Sequence, residues 1–205
     1  MLIRIASCLL CLPILANAAA LAKIQALYDR THAFQADFQQ TYRNKLFNRT
    51  EHSTGEVRYQ RLGKMRWDYR SPHAKSFILN GKKLWLVEPS EKTVSINRCF
   101  KSDTLSQSLI FLGGEGRLAR EFKLLSASKN QLVLVPKQKT ELFEKLILSF
   151  EAKTYQISRV ILIDVDGNQN EFVFSNRRFN RRLPAPAFDY KTPPGFEEVN
   201  LASDC

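Results

Sequence analysis

The chain has 205 residues, 44% of them hydrophobic and 25% charged, with 31 basic against 20 acidic side chains for a net charge of +11. That length suits one domain with a sizeable core, and the apolar share is that of an ordinary soluble protein. No stretch beyond the first residues is long and apolar enough for a transmembrane helix, and His32, His52 and His73 are scattered with no metal-ligand spacing.

The first residues read as a leader. Arg4 is a short basic region, Ile5 to Leu15 an apolar run too short to span a bilayer, and Ala16-Asn17-Ala18 a small-residue cleavage site. A signal peptide over residues 1–18 and a mature single domain over residues 19–205 are expected. Too few residues precede Cys8 for a lipoprotein signal, and Cys11 follows Leu10 rather than a small residue, so the mature chain is expected to be free and periplasmic. Cleavage removes Arg4 and no acid, leaving about +10. It also leaves two cysteines, Cys99 and Cys205, which in an exported chain either pair or stay as two thiols.

Leu21, Ile24, Leu27, Tyr28 and Thr31 follow helical spacing, so the mature chain opens with an amphipathic helix. The period then becomes two: Phe34, Ala36, Phe38, Gln40 and Tyr42 predict a strand over Ala33 to Arg43, and Asn44 to Ser53 reads as a polar connection or hairpin end. Gly55 to Pro89 reads as sheet almost throughout. Val57 and Tyr59, then Met65, Trp67 and Tyr69, alternate with polar residues and give one large apolar face. Asn80-Gly81 predicts a hairpin between Phe77-Ile78-Leu79 and Leu84-Trp85-Leu86-Val87, because these residues tolerate the positive φ of a type I′ turn. Thr93 to Ile96 extends the sheet.

Asp103 to Leu112 is a second helical stretch, capped by Ser102 or Asp103 and ended by Gly113-Gly114, with Leu105, Leu109 and Leu112 as its apolar stripe. Arg117 to Glu121 adds a short helical turn. Strands resume at Phe122 to Ser126, Leu132 to Val135, Leu146 to Phe150 and Ile157 to Asp164. Asp166-Gly167-Asn168 is a hairpin turn before Glu171 to Phe174. After Leu183 the chain is proline-rich up to Gly195. Many short strands with few helices predict a mainly β fold, a barrel or sandwich, and a curved antiparallel sheet with helices across its mouth accounts for both the strands and the scarcity of helices.

No catalytic set emerges. There is no Gly-x-Ser-x-Gly elbow, and Gly113-Gly114-Glu115-Gly116 lacks the Lys-Ser or Lys-Thr of a phosphate loop. Asp164 and Asp166 are turn residues beside a glycine. Arg177 to Arg182, with Phe179 between, has the look of a nucleic-acid patch, but export argues against that. A solvated basic edge, or weak attraction to anionic membrane surfaces, accounts for it instead.

The sheet stretch also carries a resemblance. Arg61-Leu62-Gly63-Lys64-Met65-Arg66-Trp67, then Asn80-Gly81 leading into Leu84-Trp85, resemble the LolA family, periplasmic carriers of lipoproteins to the bacterial outer membrane. Leu21 to Asp29 followed by His32 to Phe38 fits the family's start, and Tyr190-Lys191-Thr192-Pro193-Pro194-Gly195 its end. Leu62 departs from the pattern, since relatives often have proline there. The resemblance implies an incomplete, curved antiparallel β-barrel of roughly eleven strands with a helical lid. It implies a non-enzymatic chaperone without cofactor or metal that shelters lipoprotein acyl chains in an apolar cavity. In that reading Met65, Trp67, Tyr69, Phe77, Leu79 and Trp85 form the cavity wall and Leu105, Leu109 and Leu112 the underside of the lid. Arg61 would be the latch that holds the empty carrier closed. The implied partners are a LolCDE-type ABC transporter at the inner membrane and a LolB-type acceptor at the outer membrane, with the carrier itself a monomer. A carrier or sensor of another envelope lipid on the same fold, and a secreted hydrolase, are the alternative readings.

Overall fold

A computed structural model describes residues 12–81, 83–100, 117–138 and 143–201 of the chain. Helix α1 (Leu12–Asp29) is followed by strands β1 (Ala33–Asn44), β2 (Arg49–Gln60), β3 (Lys64–Ser71), β4 (Lys75–Asn80), β5 (Lys83–Glu88) and β6 (Thr93–Asn97). A single helical turn, α2 (Leu118–Glu121), precedes β7 (Phe122–Ser128), β8 (Gln131–Pro136), β9 (Lys145–Phe150), β10 (Ile157–Ile163) and β11 (Gln169–Phe179). The 3-10 turn Ala185–Phe188 and β12 (Glu197–Asn200) complete it.

All twelve strands belong to one sheet, in the order β12-β6-β5-β4-β3-β2-β1-β11-β10-β9-β8-β7. The pairings are antiparallel except that of β12 with β6, which is parallel. The sheet is open at β12 and β7, and it is strongly curved. Trp67 on β3 and Phe172 on β11 lie three strands apart, about 14 Å across a flat sheet. Their ring centroids are 5.2 Å apart. Such contact requires the sheet to curl around them.

Gly55 permits part of that curl. It stands on β2 between Phe38 of β1 and Tyr69 of β3, where the β2–β3 register shifts. The two rings meet over it with centroids 4.9 Å apart. A β-carbon there would lie 2.2 Å from the Asp68 carbonyl oxygen and 2.6 Å from the Phe38 ring.

Period-two alternation decides which side chains enter the core. From β1, β3 and β11 the concave face takes Phe34 and Phe38, Met65 and Trp67, and Phe172 and Phe174; from β8 and β9 it takes Leu132, Leu134, Leu146 and Leu148. Helix α1 closes over them with Leu21, Ile24 and Tyr28. Burying three such side chains contributes roughly 5 to 9 kcal/mol before the entropic cost of ordering the helix.

The convex face has its own cover. Ile78, Trp85, Val87, Val94 and Ile96 form a second cluster, against which Tyr190 and Phe196 pack. The tail from Leu183 onward crosses this face. Leu183, Ala187 and Phe188 pack with Ala33, and Asn80 donates to Asp189 at 2.7 Å.

The structure differs from the sequence reading in four places. Of the two readings of segment 44–53 the hairpin end holds, but its second half is already strand: β2 starts at Arg49 and pairs along β1, Thr41 opposite His52 and Tyr42 opposite Glu51. Polar residues that face water on this stretch carry no alternation to reveal it. The β4–β5 turn is centred one residue later than expected: Asn80 pairs with Lys83, and Gly81 takes the positive φ of 70°. Strand β11 runs on through Arg177 and Arg178. Finally, the irregular tail ends in β12, whose parallel bonds to β6 its sequence does not announce.

Candidate lipid-binding site

The expected wall residues divide between the two faces of the sheet. Met65, Trp67 and Tyr69 of β3 point to the concave side, and the β3–β4 register sets Leu79 opposite Met65 and Phe77 opposite Trp67. These five share one face. Trp85 does not. It pairs with Ile78 and lies in the convex cluster, with the Lys83 ammonium 4.4 Å from its ring. The placement of Trp85 in the cavity wall is therefore corrected: its neighbour Leu84, opposite Leu79, packs against the concave core in its stead. The run Leu84-Trp85-Leu86-Val87 is apolar on both faces, so alternation could not assign a side.

The wall is mostly aromatic. Phe38 lies 5.0 Å from Trp67, Trp67 lies 6.4 Å from Phe174, and Tyr69 lies 6.0 Å from Phe77. Met65, Trp67 and Leu79 are buried, whereas Tyr69, Phe77 and Leu84 are only half-buried. Burial pushes the Tyr69 phenol up to about 12, and the Lys75 ammonium caps its ring at 5.0 Å. The concave face thus carries a partly covered apolar strip beneath β3, β4 and β5.

Described residues on both sides of 101–116 meet this core. Phe100 packs against it, and Leu118 is 1% exposed within it. Leu105, Leu109 and Leu112, expected on the underside of a lid, lie outside the described residues, as does Cys205. Cys99 is disulfide-bonded.

Arg61 acts on α1. Its guanidinium donates from Nε to the Thr31 carbonyl at 3.0 Å and from a terminal nitrogen to the Asp29 carbonyl. The Asp29 carbonyl is an orphan acceptor of the helix C-terminus and the Thr31 carbonyl lies just beyond it, where positive charge also suits the helix dipole. The Arg61 backbone N–H donates to the His32 carbonyl at 2.9 Å. Asn180 holds the same junction from the other side: its Oδ1 accepts from the His32 N–H at 2.6 Å, and its own backbone N–H donates to the Ala33 carbonyl at 2.8 Å. Sequence reasoning missed Asn180, whose one signal was an Asn in a position of positive φ, here 56°.

Further ties hold α1 down. The Gln25 side chain accepts from the Leu118 N–H at 2.7 Å, and Arg117 pairs with Asp29 at 3.2 Å. The Tyr28 hydroxyl accepts from the buried Ile157 N–H at 3.3 Å, and burial pushes its phenol well above the usual range. Among the described residues no cluster of His, Cys, Asp or Glu is arranged to hold a metal ion.

A sequence profile described as outer membrane lipoprotein carrier protein LolA matches residues 29–191. The chain belongs to the LolA family. An outer-membrane lipoprotein carrier protein of Chromobacterium violaceum is 30% identical over 190 residues, covering 90% of this chain and 89% of the relative. One from Azotobacter vinelandii is 26% identical, covering 91% of each. Among solved structures, an uncharacterized conserved protein from Thermus thermophilus superposes with a TM-score of 0.57 at 11% identity, covering 90% of this chain and 99% of its own, a likeness of fold. The open curved sheet with few helices is the architecture the resemblance implied.

Proposed function

We propose that the chain is a periplasmic lipoprotein carrier, a binding protein rather than an enzyme, which shelters acyl chains against the concave face. The observation that carries this reading is the half-buried strip of Tyr69, Phe77 and Leu84 beside the buried Met65, Trp67 and Leu79. An acyl chain gains about 0.8 kcal/mol for each methylene sheltered, so a dozen give roughly 10 kcal/mol. Release then requires a cost on the bound or open state, since a ligand moves an equilibrium only by its differential affinity. The family's lipoprotein-carrier descriptions support the cargo class.

The stretch Asp103 to Leu112, with Leu105, Leu109 and Leu112, would form the lid, and Arg61 the latch. The packing of Phe100 and Leu118 in the concave core supports the first assignment, and for the second Arg61 would act through α1, which it holds by its end and which bonds to the flanking Arg117 and Leu118 through Asp29 and Gln25. In this reading residues 1–18 are cleaved, a LolCDE-type transporter loads the mature protein and a LolB-type acceptor unloads it. The test is native purification from the periplasm with mass spectrometry of co-purifying lipid, alongside titration with a fluorescent fatty acid. Co-purified lipoprotein and saturable fatty-acid binding are expected. A wild-type protein that takes up neither overturns the reading.

A further inference from the structure

The run Arg177 to Arg182 does not act as one patch. Arg177 is turned inward, donating to the Ile157 carbonyl at 2.9 Å and paired with Glu151. Arg181 and Arg182 are exposed, and with Lys64, His32, Gln60 and Asn180 they line a groove of about 520 Å³ floored by Ala33, Leu183 and Phe188. Arg30, exposed at the end of α1, stands beside it through its carbonyl contact with Asn180. Among the described residues, Arg30, Lys64, Arg181 and Arg182 have no ion-pair partner. Of the acids at this end, Asp29 is paired with Arg117, while Asp189 accepts only from the neutral Asn80 amide, so among the described residues the four cations outnumber the one carboxylate without an ion pair.

Leu62 adds an apolar point to this cationic end. Gln60 and Lys64, which flank its turn, both line the groove. Its side chain is 85% exposed, and its backbone is held at a φ of 74°. A side chain beyond glycine is disfavoured in that left-handed region. Folding gains nothing from it here, because the side chain packs against nothing large enough to bury it.

We propose that this end of the molecule docks on a bilayer carrying anionic phospholipid, with Lys64, Arg181 and Arg182 against headgroup phosphates and Leu62 dipping below them. The charge is complementary and in net positive excess. A lone leucine on a tight turn suits penetration between headgroups, whereas a protein partner would have to supply a pocket for it. The docked end is also the end where Arg61 holds α1, so the latch lies close to the surface. The docking itself does not depend on the carrier reading.

Co-sedimentation of the mature protein with vesicles tests this. Vesicles of phosphatidylethanolamine with phosphatidylglycerol should bind it, phosphatidylcholine vesicles should not, and rising salt should weaken binding as screening shortens the charge interaction. Near a membrane surface each cation is worth about fivefold in affinity, so Arg181→Glu with Arg182→Glu should lose at least tenfold. Lys45→Glu with Lys92→Glu makes the same change of net charge in the β1–β2 and β5–β6 turns, at the opposite end of the sheet, and should alter binding by about twofold or less. Leu62→Gly relieves the backbone, so it should stay folded and still bind vesicles less well. Fatty-acid binding should be unchanged in all three variants, which separates this surface from the cavity. Equal binding to both vesicle types, no binding by the wild type, or an equal loss in the control pair each overturns the proposal. If vesicles are ignored while Arg181→Glu with Arg182→Glu abolishes cargo uptake from transporter-bearing membranes, the patch serves an acidic protein face and the bilayer proposal falls.

Discussion

Gly55 shows how one residue sets the shape of the wall. Its missing side chain lets the Phe38 and Tyr69 rings close over β2, and the Asp68 carbonyl fills the space a β-carbon would need. Gly55→Ala should therefore destabilise the protein by at least about 1 to 3 kcal/mol, the usual cost of overpacking a core. Thermal unfolding measures this, and a melting temperature unchanged from wild type would show that the sheet can flatten there without loss. Sequence named Gly55 only as the start of a sheet, since a glycine in a strand does not say which neighbour approaches it. Trp85 teaches the complementary lesson. Its apolar character was legible, but its face was not, because Leu84 to Val87 gives both faces an apolar residue and only the pairing with Ile78 decides.

At the scale of elements, alternation made most strands readable, above all β1, β3 and β8, where buried residues alternate with more exposed ones over much of each strand. What it missed were elements whose bonds come from distant partners: the polar half of β2, the end of β11, and β12. Ion pairs between strands are of that kind. Glu171 on β11 accepts from Arg159 of β10 at 2.7 Å and from Arg43 of β1 at 3.1 Å. The Arg159 bond, foremost, holds its carboxyl below the ordinary value of 4.5 against the opposing effect of burial. A carboxyl depressed in the folded state contributes stability above its ordinary range and loses it as pH falls through the folded value. Glu171→Gln should lower stability at neutral pH and flatten the acid limb of the stability curve, read by denaturant unfolding between about pH 7 and 3. An unchanged acid limb would place the acid sensitivity elsewhere. The tail gives a second test. Leu201 N–H bonds to the Ile96 carbonyl, so the chain runs beside β6 in the same direction, toward Cys99 just beyond that strand. We infer that Cys205 is the partner of Cys99, since cleavage after Ala18 would remove Cys8 and Cys11. Closing a loop of about 100 residues is worth at most roughly 4.7 kcal/mol in the chain-entropy model. Thiol labelling of the unfolded, unreduced mature protein should find no free thiol; two per chain would rule the bond out.

For the molecule as a whole, the decisive quantity is the balance between a closed and an open carrier. The apolar face of α1 contributes roughly 5 to 9 kcal/mol, whereas hydrogen bonds from a charged donor contribute about 1.5 to 3 kcal/mol. Removing Arg61 should therefore leave the fold and the docking of α1 intact, yet shift a closed–open equilibrium by up to about a hundredfold, since each 1.4 kcal/mol is a factor of ten. Arg61→Leu should then load lipid readily and release it slowly, because the closed state no longer competes as well with the bound one. Leu109→Asp should act in the opposite sense, weakening loading by setting a carboxylate against hydrocarbon. A labelled lipoprotein passed from carrier to acceptor membrane reads both effects, with a fluorescent fatty acid reporting the cavity. If Arg61→Leu releases cargo as fast as wild type while still binding it, the cavity stands and the latch does not. In that case Arg61 serves only to cap α1, and the loss should appear as a lower melting temperature with transfer unchanged.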